Sequence, residues 1–454
     1  MTEHIRTASD LKQKVQHENI ENIKVGVFDV DGILRGKYMH RDKFLSAVDK
    51  GFGFCDVVLG WDSNDQLYDK STITGWHTAY PDAPVRLLPL TTRELPFEEG
   101  SLFVLGEFAD EAEKVCPRGT LRRVLSKAHD MGFTVHGALE FEFFLFEETP
   151  HSVREKGYRN LKPITPGFFG YSVLRNSVHS DFYHDLLALC KDMRMPLEGL
   201  HTETGPGVIE AALNITEGIE IADRASLFKT FTKVFAQRQD WMATFMARWS
   251  PDWPGQSGHI HLSLKNFEGN NAFFDGDKPE SISDEMRWFL GGQQALMPEF
   301  LSMVASTVNS FSRLVPGFWA PTNATWGVEN RTCALRAITG SEKSQHIEYR
   351  IAAADVNPYI GMAAALGSGL WGIENKIEPT EAVVGNAYEQ KFPKKLDLPA
   401  TLYEAAGRLR KSQAAKELFG ETFVDHYAQS REWEEREFRK SITDWEMERY
   451  FEII

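Results

Sequence analysis

Residues 136–145 read His-Gly-Ala-Leu-Glu-Phe-Glu-Phe-Phe-Leu, which sets Glu140 and Glu142 two apart in an aromatic and apolar run. Alternate residues of a strand share a face. Both carboxylates therefore project together, backed by Leu139, Phe141 and Phe143. Two anions side by side near a core repel each other and lose hydration. A positive partner has to neutralise them, and hard divalent cations suit carboxylate oxygen. The pair reads as half of a metal site.

Other segments also force polar groups onto strands or into glycine-bounded turns. Glu203 and Glu210 bracket Thr-Gly-Pro-Gly-Val-Ile, where glycine permits tight turns and close backbone approach. His259-Ile-His261-Leu-Ser263 alternates, which puts two imidazoles and a hydroxyl on one face after the loop that carries Pro254 and Gly255. Arg313 precedes a rigid Leu-Val-Pro-Gly loop, Arg331 and Arg336 lie in Arg-Thr-Cys-Ala-Leu-Arg, and Glu348 and Arg350 share a face of Ile-Glu-Tyr-Arg-Ile. Taken singly, each has a plainer explanation: a solvated Glu, a histidine satisfied on a wet sheet, an arginine paired for structure. Together they line one face with charge. Carboxylates would bind metals, and metals with arginines would bind phosphate. That pattern suits phosphoryl transfer, where positioning and charge neutralisation supply most of the catalysis.

These groups need a scaffold, and the chain of 454 residues is long enough for more than one domain. A hydrophobic content of 42% supports a large core, and a net charge of −15 argues against nucleic acid held through its phosphates. Cys55, Cys116, Cys190 and Cys333 are scattered and read as reduced thiols. No apolar run suits a membrane span, and the polar start Met1-Thr-Glu-His lacks the apolar core of a secretory signal, so a cytoplasmic protein is expected. Residues 1–22 read as a solvated helix and Lys24–Asp29 as a strand. Residues 50–110, rich in Gly, Asp and Pro, read as part of a small β-rich domain. The expected division is 1–112 and 113–454. A helix is expected from Pro117 or Thr120, another along the apolar stripe from Leu227 to Phe245, another from Asn357-Pro358 to Glu374, and charged helix from residue 424 onward.

At this point the chain resembles the glutamine synthetase family. The segments that carry the resemblance are GALEFEFFLF (137–146), ETGPGVIEAAL (203–213), GHIHLSL (258–264), RLVPGFWAP (313–321), NRTCALR (330–336) and IEYRIAAADVNPY (347–359), in the family's order. A looser match is FDVDGILRGKYM (28–39). The resemblance implies an α+β fold, with a small N-terminal β-grasp domain and a larger catalytic α/β domain. It implies that Glu142, Glu203 and Glu210 hold one Mg²⁺ or Mn²⁺ and that Glu140, His259 and Glu348 hold a second. It implies that Gly255, Arg313 and Arg350 clamp L-glutamate and that Arg331 and Arg336 receive the transferring phosphoryl. It places His261, Ser263 and Lys343 at the ATP. Dodecamer-like stacked rings would complete each site with a neighbour's N-terminal domain. The implied reaction phosphorylates the γ-carboxylate of glutamate, and an amine then displaces phosphate.

Departures from the family bear on the amine. Ammonia-using members carry a Glu six residues beyond the Arg of Arg-Leu-Val-Pro-Gly, and Trp319 stands there instead. The N-terminal Asp of the ammonium pocket has its nearest equivalent in Asp56, with Asp62 and Asp65 as further candidates. An indole in place of a carboxylate suits an organic amine, through apolar contact or cation–π attraction. The expected acceptor is therefore an alkyl, aryl or polyamine, as in γ-glutamyl-amine ligases, with ammonia as the alternative. Pro254 replaces a family Asn, so a different amino-acid donor stays open. Two further readings are a haloacid-dehalogenase-type phosphatase, through Asp29-Val-Asp31-Gly, and an inactive structural homologue.

Overall fold

Short β-branched runs broken by Gly, Asp and Pro build a first sheet in the computed structural model, which describes residues 5–317 and 319–454. The start Met1–His4 and Phe318, of the loop after Arg313, lie outside the described residues. The strands are β1 (Asn22–Phe28), β2 (Leu34–His40), β3 (Phe52–Cys55), β4 (Asp82–Leu87), β5 (Arg93–Glu94) and β6 (Leu102–Phe108). They run β2-β1-β6-β4-β3, with β5 beside β6. The N-terminal helix Ala8–His17 is more than a solvated lead-in, because it sinks Leu11 and Val15 into the core.

The second sheet comprises β7 (Phe133–Phe146), β8 (Leu197–Thr202), β9 (Val208–Leu213), β10 (Thr216–Glu217), β11 (Met242–Thr244), β12 (Gly258–Asn266), β13 (Trp326–Val328), β14 (Leu335–Ile338) and β15 (His346–Tyr349). Its order is β13-β14-β15-β12-β7-β9-β8, with β10 and β11 also on β7. Alternation in β7 works as expected. Leu139, Phe141 and Phe143 are buried while Glu140 and Glu142 stay half-buried on the opposite face. Phe141 stacks 6.2 Å from Phe228 of helix Glu220–Gln237, so helices back the apolar face and leave the acidic face open. Behind them, helices Asp284–Val304 and Pro358–Asn375 cross closely, and a Cβ on Gly292 would lie 2.2 Å from the Ser368 carbonyl oxygen.

The apolar stripe from Leu227 to Phe245 is not one helix. The helix stops at Gln237, Asp240 turns the chain with φ +57°, and Met242–Thr244 pairs with Phe144–Phe146 of β7. The free edge at the end of β7 supplies strand hydrogen bonds that outweigh helical continuation. Among the described residues no helix is long and apolar enough to cross a membrane.

Asp29, the nucleophile of the phosphatase reading, is 1% exposed and spent on its own turn. Its carboxylate accepts from the backbone N–H groups of Asp31 and Ile33 and from Arg35 Nε. Asn357 caps helix Pro358–Asn375 by accepting from the Tyr359 N–H, and its Nδ2 donates to the carbonyls of Asp29 and Val30. One buried amide thus ties the first sheet to a helix behind the second. Asn357→Ala should lower stability by about 1–2 kcal/mol, read by urea unfolding followed by circular dichroism. An unchanged midpoint would contradict this tie.

Candidate active site

Strand register brings the chemistry-bearing side chains together. Glu142 lies opposite Glu210 across β7 and β9, and Glu210 lies opposite His201 across β9 and β8. Glu140 faces His259 across β7 and β12, His261 faces Glu348 across β12 and β15, and Arg336 faces Glu348 across β14 and β15. Directly opposed residues hold their Cβ atoms about 4.5–5.5 Å apart. All of these side chains except His201, which stands behind Glu210, line a cavity of about 420 Å³ that Glu203, Gly255, Arg313, Trp319, Arg331 and Arg350 also border.

Two acidic clusters form within it. In the first, His259 Nδ1 lies 3.1 Å from Glu140 Oε1 and 3.2 Å from Glu348 Oε1. Ligand atoms of Glu140, His261 and Glu348 lie within 4.8 Å of one another. Arg336 Nη1 is 3.1 Å from Glu348, and Arg350 is bonded to its other oxygen. Burial opposes ionisation of Glu348, but His259, Arg350, His261 and Arg336 hold its carboxyl well below the usual range. Burial likewise opposes ionisation of Glu140, yet the His259 hydrogen bond and the charges of His261 and His259 hold it down at about 2.

In the second cluster His201 Nε2 lies 2.9 Å from Glu210 Oε1, and its Nδ1 lies 4.0 Å from Glu203 Oε2. Burial, with the charges of Glu140 and Glu142, pushes Glu210 up to about 7 despite the bond from His201. Burial lowers His201, but the Glu210 bond outweighs it and lifts the imidazole to about 9. Glu142 accepts from the Ser257 backbone N–H at 2.7 Å.

These donors fit divalent cations. Separations near 3 Å between His259 Nδ1 and two carboxylate oxygens match neighbouring ligands of a six-coordinate ion with bonds of about 2.1 Å. His259 Nε2 is buried without a hydrogen-bond partner, and burial with the charges of Glu140 and Glu142 opposes ionisation of Glu210.

Arg313 is 3% exposed and donates to the carbonyls of Ile351 and Arg350. Burial pulls its guanidinium down to about 10, with the Glu142 charge opposing. A Cβ on Gly255 would lie 2.6 Å from Arg313 Cγ, so this glycine is needed to seat the arginine. Trp319 holds φ +58° on the rim, 59% exposed. A second cavity of about 510 Å³ shares Glu140 and His261 with the first and is bordered by Ser263, Lys343 and His346. Asp56 is not brought to the cavity of its own chain. It follows β3, buried, accepting from Thr74 Oγ1 at 2.8 Å, and burial raises its carboxyl.

Three groups escape the sequence reading. His201 stands two residues before Glu203, so strand alternation was a usable signal. His346 likewise stands two residues before Glu348. Tyr171, whose ring stacks 4.2 Å from His201, comes from an irregular segment with no pattern to read.

The pattern described as the glutamine synthetase catalytic domain matches residues 114–450. The chain belongs to the glutamine synthetase family. It is 46% identical to a "Type-1 glutamine synthetase 2" of Dictyostelium discoideum, over 95% of this chain and 84% of that one. It is 36% identical to a glutamate–isopropylamine ligase of a Pseudomonas species, over 97% of each chain. A solved structure described as "Apo GmaS without ligand" shares the fold, with a TM-score of 0.85 over 98% of this chain and 100% of that chain at 23% identity. Membership makes this glutamine synthetase relative an ATP-dependent, amide-forming ligase that works through phosphorylated glutamate.

Burial and the charges of Glu140 and Glu142 raise Glu210 to about 7, so a cation that bound it would displace its proton. Mg²⁺ affinity should rise about tenfold per pH unit below pH 7 and level above it. Calorimetry in buffers of different ionisation enthalpy measures this. An affinity independent of pH, with no proton release, would contradict the assignment.

Proposed function

We propose that the chain transfers the γ-phosphoryl group of ATP to the γ-carboxylate of L-glutamate and passes the acyl group to a nitrogen nucleophile. The observation that carries this is the register that gathers Glu, His and Arg onto one open sheet face between two joined cavities. Glu142, Glu203 and Glu210 would hold one Mg²⁺ or Mn²⁺, and Glu140, His259 and Glu348 a second. Bound cations would neutralise charge on the phosphates and on the attacking carboxylate.

The chain's own residues orient the reactants. Arg313, seated against Gly255, and Arg350 hold glutamate in the first cavity. Its γ-carboxylate oxygen attacks the γ-phosphorus and ADP leaves. Arg331 and Arg336 balance charge on the transferring group. Ser263 and Lys343, with His261 at the boundary, border the nucleotide in the second cavity. The nitrogen lone pair then attacks the γ-carbonyl, the nitrogen loses a proton, and phosphate departs.

Ammonia is the acceptor that the comparisons support better, because the 46% identical relative carries the name of a glutamine synthetase and the isopropylamine ligase stands at 36%. The organic-amine reading rests on Trp319, an exposed indole on the cavity rim where ammonia-using members carry a Glu. Asp56 would act from a neighbouring copy in a ring, carried on an N-terminal unit of residues 1–112.

Steady-state assays with ATP, glutamate and ammonia, isopropylamine, ethanolamine or putrescine test both readings. Glutamate-dependent amide formation is expected, with ammonia giving the highest kcat/KM. Glu142→Ala should reduce turnover by about a hundredfold or more. A higher kcat/KM for an alkylamine, reversed by Trp319→Ala, would transfer the assignment to the organic-amine reading. No amide with any acceptor would refute the proposal.

A further inference from the structure

His346, the first residue of β15, has no role in the scheme above. Its Nδ1 lies 2.5 Å from the Ser344 carbonyl oxygen, and its Nε2 lies 3.1 Å from His261 Nδ1. A carbonyl can only accept, so Nδ1 of His346 carries the hydrogen. A neutral imidazole protonated at Nδ1 presents a lone pair at Nε2. With both rings neutral, the form a cation ligand has to take, His261 holds its own hydrogen on Nδ1 and donates it to His346. Its Nε2 is left as a bare acceptor.

That acceptor faces other acceptors. His261 Nε2 lies 4.0 Å from Glu140 Oε2, and the ligand atoms of Glu140, His261 and Glu348 gather within 4.8 Å. An arrangement of lone pairs with no hydrogen between them is unfavourable unless a cation sits among them. A nucleotide phosphate, itself an acceptor, would gain nothing from His261 in this tautomer. His261 also borders both cavities, so it stands where glutamate and nucleotide meet.

We propose that His346 is a positioning residue that fixes the tautomer of His261, and that His261 thereby becomes a divalent-cation ligand beside Glu140 and Glu348 rather than a hydrogen-bond donor to the nucleotide. The inference rests on the cation site of the ligase reading and adds a ligand and its orienting partner to it. A group that orients a metal-bound histidine in this way typically changes metal affinity ten- to a hundredfold.

The test counts Mn²⁺ bound by metal-free protein, without ATP or glutamate, from the spin-resonance signal of free Mn²⁺. His346→Phe keeps a ring and removes the acceptor. It should weaken one class of Mn²⁺ site at least tenfold and leave the class held by Glu142, Glu203 and Glu210 unchanged. His346→Gln returns an acceptor oxygen and should restore affinity to within about threefold. A solid-state ¹⁵N spectrum of the unsubstituted protein needs no variant. His261 Nε2 should give an unprotonated shift that moves when Mg²⁺ is added. Unchanged Mn²⁺ constants in His346→Phe, or a protonated Nε2, would overturn this inference alone. Unsubstituted protein that takes up no Mn²⁺ would overturn the cation site and this inference together.

Discussion

Crowding of negative charge on one sheet face is the constraint that the rest of the structure answers. Like charges 4 Å apart repel by about 4 kcal/mol even at an effective dielectric of 20. The register sets Glu142 directly across from Glu210 and places Glu140 and Glu348 against the same imidazole. Each carboxylate has a compensating neighbour. His201 serves Glu210, His259 serves Glu140, Arg336 and Arg350 serve Glu348, and the Ser257 N–H serves Glu142. The compensation is uneven. Glu348 and Glu140 are driven towards full ionisation while Glu210 is driven away from it. Burial is the larger cause at Glu210, and the charges of Glu140 and Glu142 add to it.

Such a face survives only on a stiff support. Side chains alternate across a strand, so a one-residue slip would turn the acids into the core. Phe141 and Phe143 lock the register from behind, against Phe228 and Phe245. Farther back, helices Asp284–Val304 and Pro358–Asn375 pack closely enough to need Gly292 at their crossing. Rigidity serves function here, because phosphoryl transfer depends on holding groups in place more than on covalent chemistry by the protein.

The strands that carry the acids were legible because alternation leaves a plain signature in β7 and β12. Helix Pro358–Asn375 was legible from its Asn-Pro start. The stripe from Leu227 to Phe245 misled, since periodicity within a segment says nothing of a strand edge waiting elsewhere. Asp29 left a further reading open for a similar reason: a short acidic motif looks alike whether it attacks a substrate or caps its own turn. Gly255 was read as part of the glutamate clamp, and the structure adds a packing reason for it. Tyr171 and the seat of Asp56 depend on tertiary placement that no local pattern records. The acceptor nitrogen depends on the rim around Trp319, where residue type alone supports more than one chemistry.

The central claim is that an oxygen of the glutamate γ-carboxylate forms a bond to phosphorus before nitrogen arrives. Glutamate labelled with ¹⁸O in that carboxylate tests it directly, with mass analysis of the phosphate released during amide synthesis. The account predicts one labelled oxygen in each phosphate, in a reaction that stops when divalent cations are removed. Phosphate free of label, formed while amide accumulates, would contradict it.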